Sequence, residues 1–252
     1  MRYTVLTYIF NHYENLKEIL EKDPEAEYIC VTDDPDLTSD TWNVVYDERL
    51  LEISPFNKTF FVRYHPFEYA NSDIVVKIDG SIEVKKSLKD IIDAFEDKEE
   101  QYDIGLMVHP ERDDIIDEYV VWIKTRKYPI ENAQRALVMM ESLGYDFKTK
   151  GLYQLCFSIE RRDWLCTTLD DIVYSFLEYL SDGKDIDRLD QTVFTFVINK
   201  LFPTAKVMPV SEKLITNSEY FSWYLHNSNE KIEEKVGKPA AYINGKMCIP
   251  KF

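Results

Sequence analysis

SDIVVKIDGSIEV, residues 72–84, decides how the chain is to be read. Its near-continuous apolar run over 74–78 is the mark of a central strand covered on both faces, so a strand is expected over 73–79. That strand stops at Asp79-Gly80-Ser81, and a short strand follows at 82–84. A carboxylate is thereby placed at the carboxyl end of a buried strand, where open α/β sheets bind their ligands. Asp-Gly also suits the tight turn of a hairpin between the two strands, and turn chemistry alone favours that plainer reading.

Working outward towards the N-terminus, RYTVLTYIF (2–10) reads as a strand, and 13–21 as a helix carrying Leu16, Ile19 and Leu20. Strands are expected at 27–31, stopping at Thr32-Asp33-Asp34-Pro35, and at 42–46. A helix over 57–69 bears Lys58 and Arg63, with Pro66 set to end or distort it.

Towards the C-terminus, a helix over 87–95 has Ser87 as its expected N-cap. A strand at 102–108 runs into His109-Pro110-Glu111-Arg112. Helices over 115–126 and 130–143 follow, the second closed by Gly144. A strand at 152–159 comes next, then helices over 169–180, closing near Gly183, and over 188–201, and a last strand at 206–210. The order describes an α/β protein with a mixed central sheet between helices. The expected partition is a domain over 1–210 and a C-terminal extension over 211–252 that packs on it.

The 252 residues are 45% hydrophobic, enough for a sizeable core. Acidic side chains outnumber basic ones 46 to 30, giving a net charge of −16 that repels a phosphate backbone and argues against nucleic acid as a partner. The four cysteines form no C-x-x-C pair and sit in or beside apolar segments, as in a protein of a reducing compartment. The seven glycines write neither G-x-G-x-x-G nor a P-loop. No apolar run reaches membrane-spanning length, so a soluble cytoplasmic protein is expected.

Several residues are of types that carry chemistry. Asp79 and Ser81 would offer a hard cation one carboxylate and one hydroxyl. Asp33 and Asp34 would accept hydrogen bonds from a base or a ribose, or build an Asx-turn. Lys58 and Arg63 suit phosphate, although five residues apart they share a helix face poorly and fit a solvated face better. His65, His109 and His226 are acid/base or metal candidates, singly more often structural. Asp190, at a helix start, is either a capping residue or a carboxylate placed to receive a hydroxyl proton. The aromatic tail of Tyr220, Phe221, Trp223 and Tyr224 fits core packing better than sugar stacking.

In order, YTVLTYIFNHYENL, EYICVTDD, a Trp-containing strand, a helix with Lys58, SDIVVKIDGSIEV, MVHPER and RLDQTVFTFV resemble the glycosyltransferase-like proteins of bacterial capsule and O-antigen loci, which have plant relatives in polysaccharide synthesis. The resemblance runs from about residue 3 to about residue 200. It implies a GT-A-like three-layer fold and transfer of a hexose or deoxyhexose from a nucleotide-diphosphate sugar to a glycan or lipid-linked glycan acceptor, in the cytoplasm or at the inner face of the membrane.

The same resemblance assigns roles by position. Asp79 stands at the first Asp of the metal-binding D-x-D, with Ser81 in place of the second. Mn²⁺ or Mg²⁺ would be held by Asp79 and Ser81, with His226 closing over them. Tyr8, Phe10 and Asn11, with Asp33 and Asp34, would cup the nucleoside. Lys58, His109 and Arg112 match basic positions and would surround the diphosphate or acceptor, and Thr32, Arg63 and Gly80 are expected to line the nucleotide-sugar site with them. Arg188, Asp190 and Gln191 match an R-D-Q signature with Leu189 inserted, and Asp190 would be the base of an inverting transfer. In a retaining one, Asp190 or Gln191 would orient the donor. The eroded D-x-D also fits a noncatalytic glycan- or nucleotide-binding module, and cation-bearing acidic strand ends occur in phosphodiester and nucleotidyl transfer enzymes.

Overall fold

A computed structural model describes residues 1–125, 130–181, 189–216, 218–224 and 226. The strands are β1 (Tyr3–Ile9), β2 (Ala26–Thr32), β3 (Asn43–Tyr46), β4 (Ile74–Ile78), β5 (Ile82–Val84), β6 (Ile104–Val108), β7 (Tyr153–Arg161), β8 (Val207–Val210) and β9 (Phe221–Trp223). The helices are α1 (Pro55–Tyr64), α2 (Lys89–Phe95), α3 (Ile115–Thr125), α4 (Ile130–Ser142), α5 (Trp164–Ser181), α6 (Asp190–Leu201) and α7 (Glu212–Thr216).

Seven strands build one mixed sheet in the order β3-β2-β1-β4-β7-β6-β8, flanked by helices, and β5 pairs with β9 apart from it. Only β7 runs against its neighbours β4 and β6. The carboxyl ends of β1, β2, β3, β4, β6 and β8 therefore share one edge of the sheet. The chain moves outward from β1 through β2 to β3, then returns to place β4 on the other flank of β1. The strand order thus reverses between β1 and β4, the place at whose carboxyl ends open α/β sheets bind their ligands.

All seven residues of β1 and all five of β4 are buried, so period-2 alternation sends apolar groups to both faces. Tyr3, Val5 and Ile9 join Val76 and Ile78 on the face of α2. Leu6, Tyr8 and Val75 meet Val62 of α1 on the other. Burying an aliphatic side chain in this way stabilises the fold by about 1.5–3 kcal/mol each. Cys30, Cys156 and Cys166 are free thiols inside this packing, as their apolar surroundings imply, whereas Cys248 lies outside the described residues.

Four local readings are corrected. Residues 13–21 form no helix, because the segment's backbone groups are taken up by tertiary partners: Ile19 N–H donates to Thr41 Oγ1, Leu20 N–H to the Val84 carbonyl, and the Lys17 carbonyl accepts from Trp42 Nε1. Leu20, counted towards an apolar stripe, faces solvent. The helix expected over 57–69 starts earlier, at Pro55 under a Ser54 cap, and ends as Pro66 implied, giving way at His65 to a 3-10 turn begun by that proline. Leu88 rather than Ser87 holds the N-cap position of α2, although Ser87 Oγ accepts from the Lys89 N–H at 3.2 Å while its hydroxyl donates to Asp23.

The fourth correction concerns the hairpin. The Ile82 N–H closes a turn onto the Asp79 carbonyl, but β5 leaves the sheet and pairs with β9. Phe221 and Trp223 of β9 are buried, so the aromatic tail does pack on the core, through a strand that no alternation had announced. Gly144 takes φ +72° and ends α4 as its cap. Gly183, Arg188 and the residues after His226 lie outside the described residues.

Candidate functional site

β1 ends in an unusual turn. Asn11 and His12 both adopt left-handed backbone, φ 50° and 51°, and Tyr13 N–H returns to the Phe10 carbonyl at 3.0 Å. Asn and His accept this conformation more readily than most side chains. Two carboxylates beyond β2 hold the turn. Asn11 N–H donates to Asp33 Oδ1 at 2.9 Å, and His12 Nδ1 lies 3.2 Å from Asp34 Oδ2. Asp34 also forms the Asx-turn that its sequence allows, accepting from Asp36 N–H, while Thr32 Oγ1 accepts from Asp34 N–H. Tyr8 and Phe10 stack at 6.0 Å.

Lys58 and Arg63, assigned to a solvated face, are instead both buried on α1. The Lys58 ammonium donates to Asp33 Oδ2 at 2.6 Å. Burial alone would raise the Asp33 pKa, but Lys58 and the Asn11 amide outweigh it and hold the carboxyl below its ordinary range.

Arg63 sits at the carboxyl ends of β1 and β4 with each guanidinium nitrogen used. Nε donates to Tyr8 Oη at 2.7 Å, Nη1 to Asp190 Oδ2 at 2.6 Å and Nη2 to Asp79 Oδ1 at 2.7 Å. One planar fork thus joins β1, the end of β4 and the start of α6, a geometry that an ammonium could not reproduce. Burial opposes the charge, yet Tyr8, Asp79 and Asp190 together push the Arg63 pKa well above its usual value. Burial also raises that of Tyr8, so the phenol stays protonated. Asp190 is the first residue of α6, with Leu189 as N-cap, so it does not cap the helix itself. Its Oδ1 has no partner among the described residues.

Gly80 lets the β4 end lie against β1. A Cβ there would come within 3.0 Å of Ile9 Cγ1 and 3.1 Å of the Tyr8 carbonyl oxygen. A third group lies at the end of β6. His109 Nε2 faces Arg112 Nη2 at 2.5 Å, Arg112 Nε pairs with Glu118 Oε2, and Gln191 Nε2 donates to Glu118 Oε1 at 3.1 Å. Asp190 and Gln191, adjacent in sequence, therefore serve two different clusters.

The divalent cation expected at Asp79, Ser81 and His226 does not fit these residues. Ser81 Oγ is buried and accepts from Trp223 Nε1 at 3.2 Å. His226 Nδ1 lies 3.1 Å from Glu14 Oε2 and its ring leans on Tyr13. One oxygen of Asp79 is already held by Arg63. Among the described residues no three His, Cys, Asp or Glu side chains gather as a ligand set. His65 is structural, its Nδ1 on the Phe61 carbonyl and its ring between Phe61 and Tyr174.

The sequence reading missed a buried group directly behind Arg63. Lys77 Nζ donates to the Arg63 carbonyl at 2.9 Å and pairs with Glu160 Oε1 at 2.5 Å, with Asp170 Oδ2 at 3.6 Å. One signal was available: Lys77 is the only charge inside the apolar run of residues 74–78.

Two surface grooves of about 570 and 470 Å³ lie over α4 and α5, and they share no residue with the clusters above. Placement at the strand ends, not groove size, identifies the candidate site. No described helix is long and apolar enough to cross a membrane. Neither the protein-family models nor the curated proteins contain a match to this chain.

Proposed function

We propose that the chain is a GT-A-like glycosyltransferase that moves a sugar from a nucleoside diphosphate sugar to a glycan acceptor. The observation that carries the reading is the convergence of Tyr8, Arg63, Asp79 and Asp190 at the reversal of strand order, where sheets of this kind bind nucleotides. The pairing of Asp33 with Lys58 beside it places a second fixed ion pair along the same edge.

In this reading the carboxyl ends of β1 and β4 receive the donor, and the Asn11–His12 turn shapes its nucleoside end. Asp190, with Oδ2 pinned by Arg63, keeps Oδ1 for an acceptor hydroxyl. The acceptor oxygen bonds to the anomeric carbon as the bond from that carbon to the diphosphate oxygen breaks. The hydroxyl proton passes to Asp190, and the nucleoside diphosphate leaves with the bonding electrons. Arg63 fixes the carboxylates in advance, so little reorganisation accompanies the charge movement.

The test is thermal stabilisation by a panel of nucleoside diphosphates and their sugars, each with and without Mn²⁺ or Mg²⁺, followed by a nucleoside diphosphate release assay with the donor that binds. Stabilisation by one nucleotide, and release that is lost in Asp190→Asn while the fold persists, are the expected results. Binding without turnover under all acceptors would identify a binding module. Release of pyrophosphate instead would identify nucleotidyl transfer, and stabilisation by no nucleotide would overturn the reading.

A further inference from the structure

Lys77 is buried in the middle of the sheet, on a strand whose other residues are all apolar. A lysine is kept in such a place only where its donors are used. One goes to the Arg63 carbonyl at 2.9 Å and one to Glu160 Oε1 at 2.5 Å, and the ammonium lies 5.6 Å from the centre of the Tyr64 ring. Glu160 is itself fixed, since Ser158 Oγ donates to the same Oε1 at 3.2 Å. Lys77 is thus held from β7 while it grips the last two residues of α1.

The carbonyl it takes is one that α1 cannot satisfy. The last four carbonyls of a helix receive no donor from within it, and the chain beyond His65 turns off at Pro66. No backbone N–H of a described residue reaches the Arg63 carbonyl. A cation also suits this negative end of the helix. Lys77 and Asp79 are two residues apart, so the alternation of β4 turns both towards Arg63. Lys77 takes its backbone, and Asp79 takes its guanidinium at 2.7 Å. The root of the Arg63 side chain is therefore fixed independently of the contacts that its tip makes with Tyr8, Asp79 and Asp190.

We propose that Lys77 is a positioning residue: by clamping the Arg63 carbonyl it sets the root of the fork that pins Asp79 and Asp190, and it touches no ligand itself. The clamp stands on contacts within the chain. Its consequence for turnover rests on the transferase reading.

NMR of the full wild-type chain tests the clamp first, through the scalar coupling expected across the hydrogen bond between Lys77 ¹⁵Nζ and the Arg63 carbonyl ¹³C. Solvent exchange of the Arg63 guanidinium hydrogens is then compared in Lys77→Met and Glu160→Gln, each set against its own stability in urea. Lys77→Met removes the donor to Arg63, whereas Glu160→Gln weakens the ion pair behind it and leaves that donor in place. Beyond what lost stability accounts for, exchange should rise about tenfold or more in Lys77→Met and about twofold or less in Glu160→Gln. With a donor that the wild type turns over, kcat should fall about tenfold or more in Lys77→Met while KM changes little. Absence of the coupling overturns the proposal whether or not a variant folds. Arg63 exchange that merely follows stability in both variants, or an undiminished kcat in Lys77→Met, would overturn it too. A wild type that turns over no donor removes the transferase reading and leaves the clamp to be decided by the coupling and the exchange.

Discussion

Arg63 and Lys77 are both buried, lie in contact, and each faces two carboxylates, yet the two regions resolve the same surplus of negative charge differently. The guanidinium gives Asp79 and Asp190 a separate N–H each, at 2.7 and 2.6 Å, and the Asp79 side chain remains 28% exposed at the sheet edge. Lys77 is closer to a point charge. It takes Glu160 at 2.5 Å and leaves Asp170 at 3.6 Å, with neither Asp170 oxygen in hydrogen-bonding geometry to a described residue. Burial first, and then the Glu160 charge, push the Asp170 pKa well above its ordinary 3.8. At the edge the second carboxylate is partly exposed, whereas in the interior burial and a neighbouring charge favour the neutral form of the second carboxyl.

The contrast can be broken by removing each cation in turn. Arg63→Met should cost about 3–5 kcal/mol in urea unfolding at neutral pH, since it takes the cation away from the buried Asp190 and from Asp79 at once. Lys77→Met should cost less, about 1–3 kcal/mol, because Asp170 already favours its neutral form and only Glu160 loses a close charged partner. Equal losses would remove the distinction between the two centres. Gly80→Ala sharpens the edge side alone: the Tyr8 carbonyl cannot withdraw as a side chain could, and a loss of about 1–3 kcal/mol from overpacking is expected in the same measurement.

The smallest effect is expected from Asp170→Asn near pH 4, and its pH dependence is the informative part. With its pKa raised by folding, Asp170 holds its proton to higher pH in the folded state than in the unfolded chain, which releases it around 3.8. Its stabilising contribution is therefore full below that value and is lost as pH rises towards the folded pKa. Asn stays neutral throughout. The variant should match the wild type at about pH 4 and become progressively the more stable of the two by about pH 8, as read from melting curves across that range. A difference that stays constant with pH would mean that Asp170 is ionised in the folded protein.

The carboxylates at the edge were legible one by one, because each ends an apolar run: Asp33 and Asp34 after β2, Asp79 after β4. Their engagements were not. Lys58 and Arg63 read as a solvated pair, since spacing along a helix says nothing about the strand ends against which that helix packs. The helix expected over 13–21 fails for a related reason: Leu16, Ile19 and Leu20 satisfy a helical period, but Thr41, Trp42 and Val84 supply competing backbone partners that a local pattern does not register. The interior triad escaped notice because Glu160 and Asp170 each look ordinary until β7 and α5 bring them to Lys77.

By itself the sequence determined the α/β class, the central apolar strands and the carboxylates at their ends. Burial on both faces demands unbroken apolar runs, and turns demand Asp and Gly, so these are properties of adjacent residues. Only the tertiary structure decided the reversal of strand order at β1, the removal of Ser81 from the expected cation site by Trp223, and the shared hold of Arg63 on Asp79 and Asp190. Arg63 and Asp190 are 127 positions apart, and Ser81 and Trp223 are 142. Contacts at such separations arise from the packing of whole elements and leave no local period or spacing in the chain.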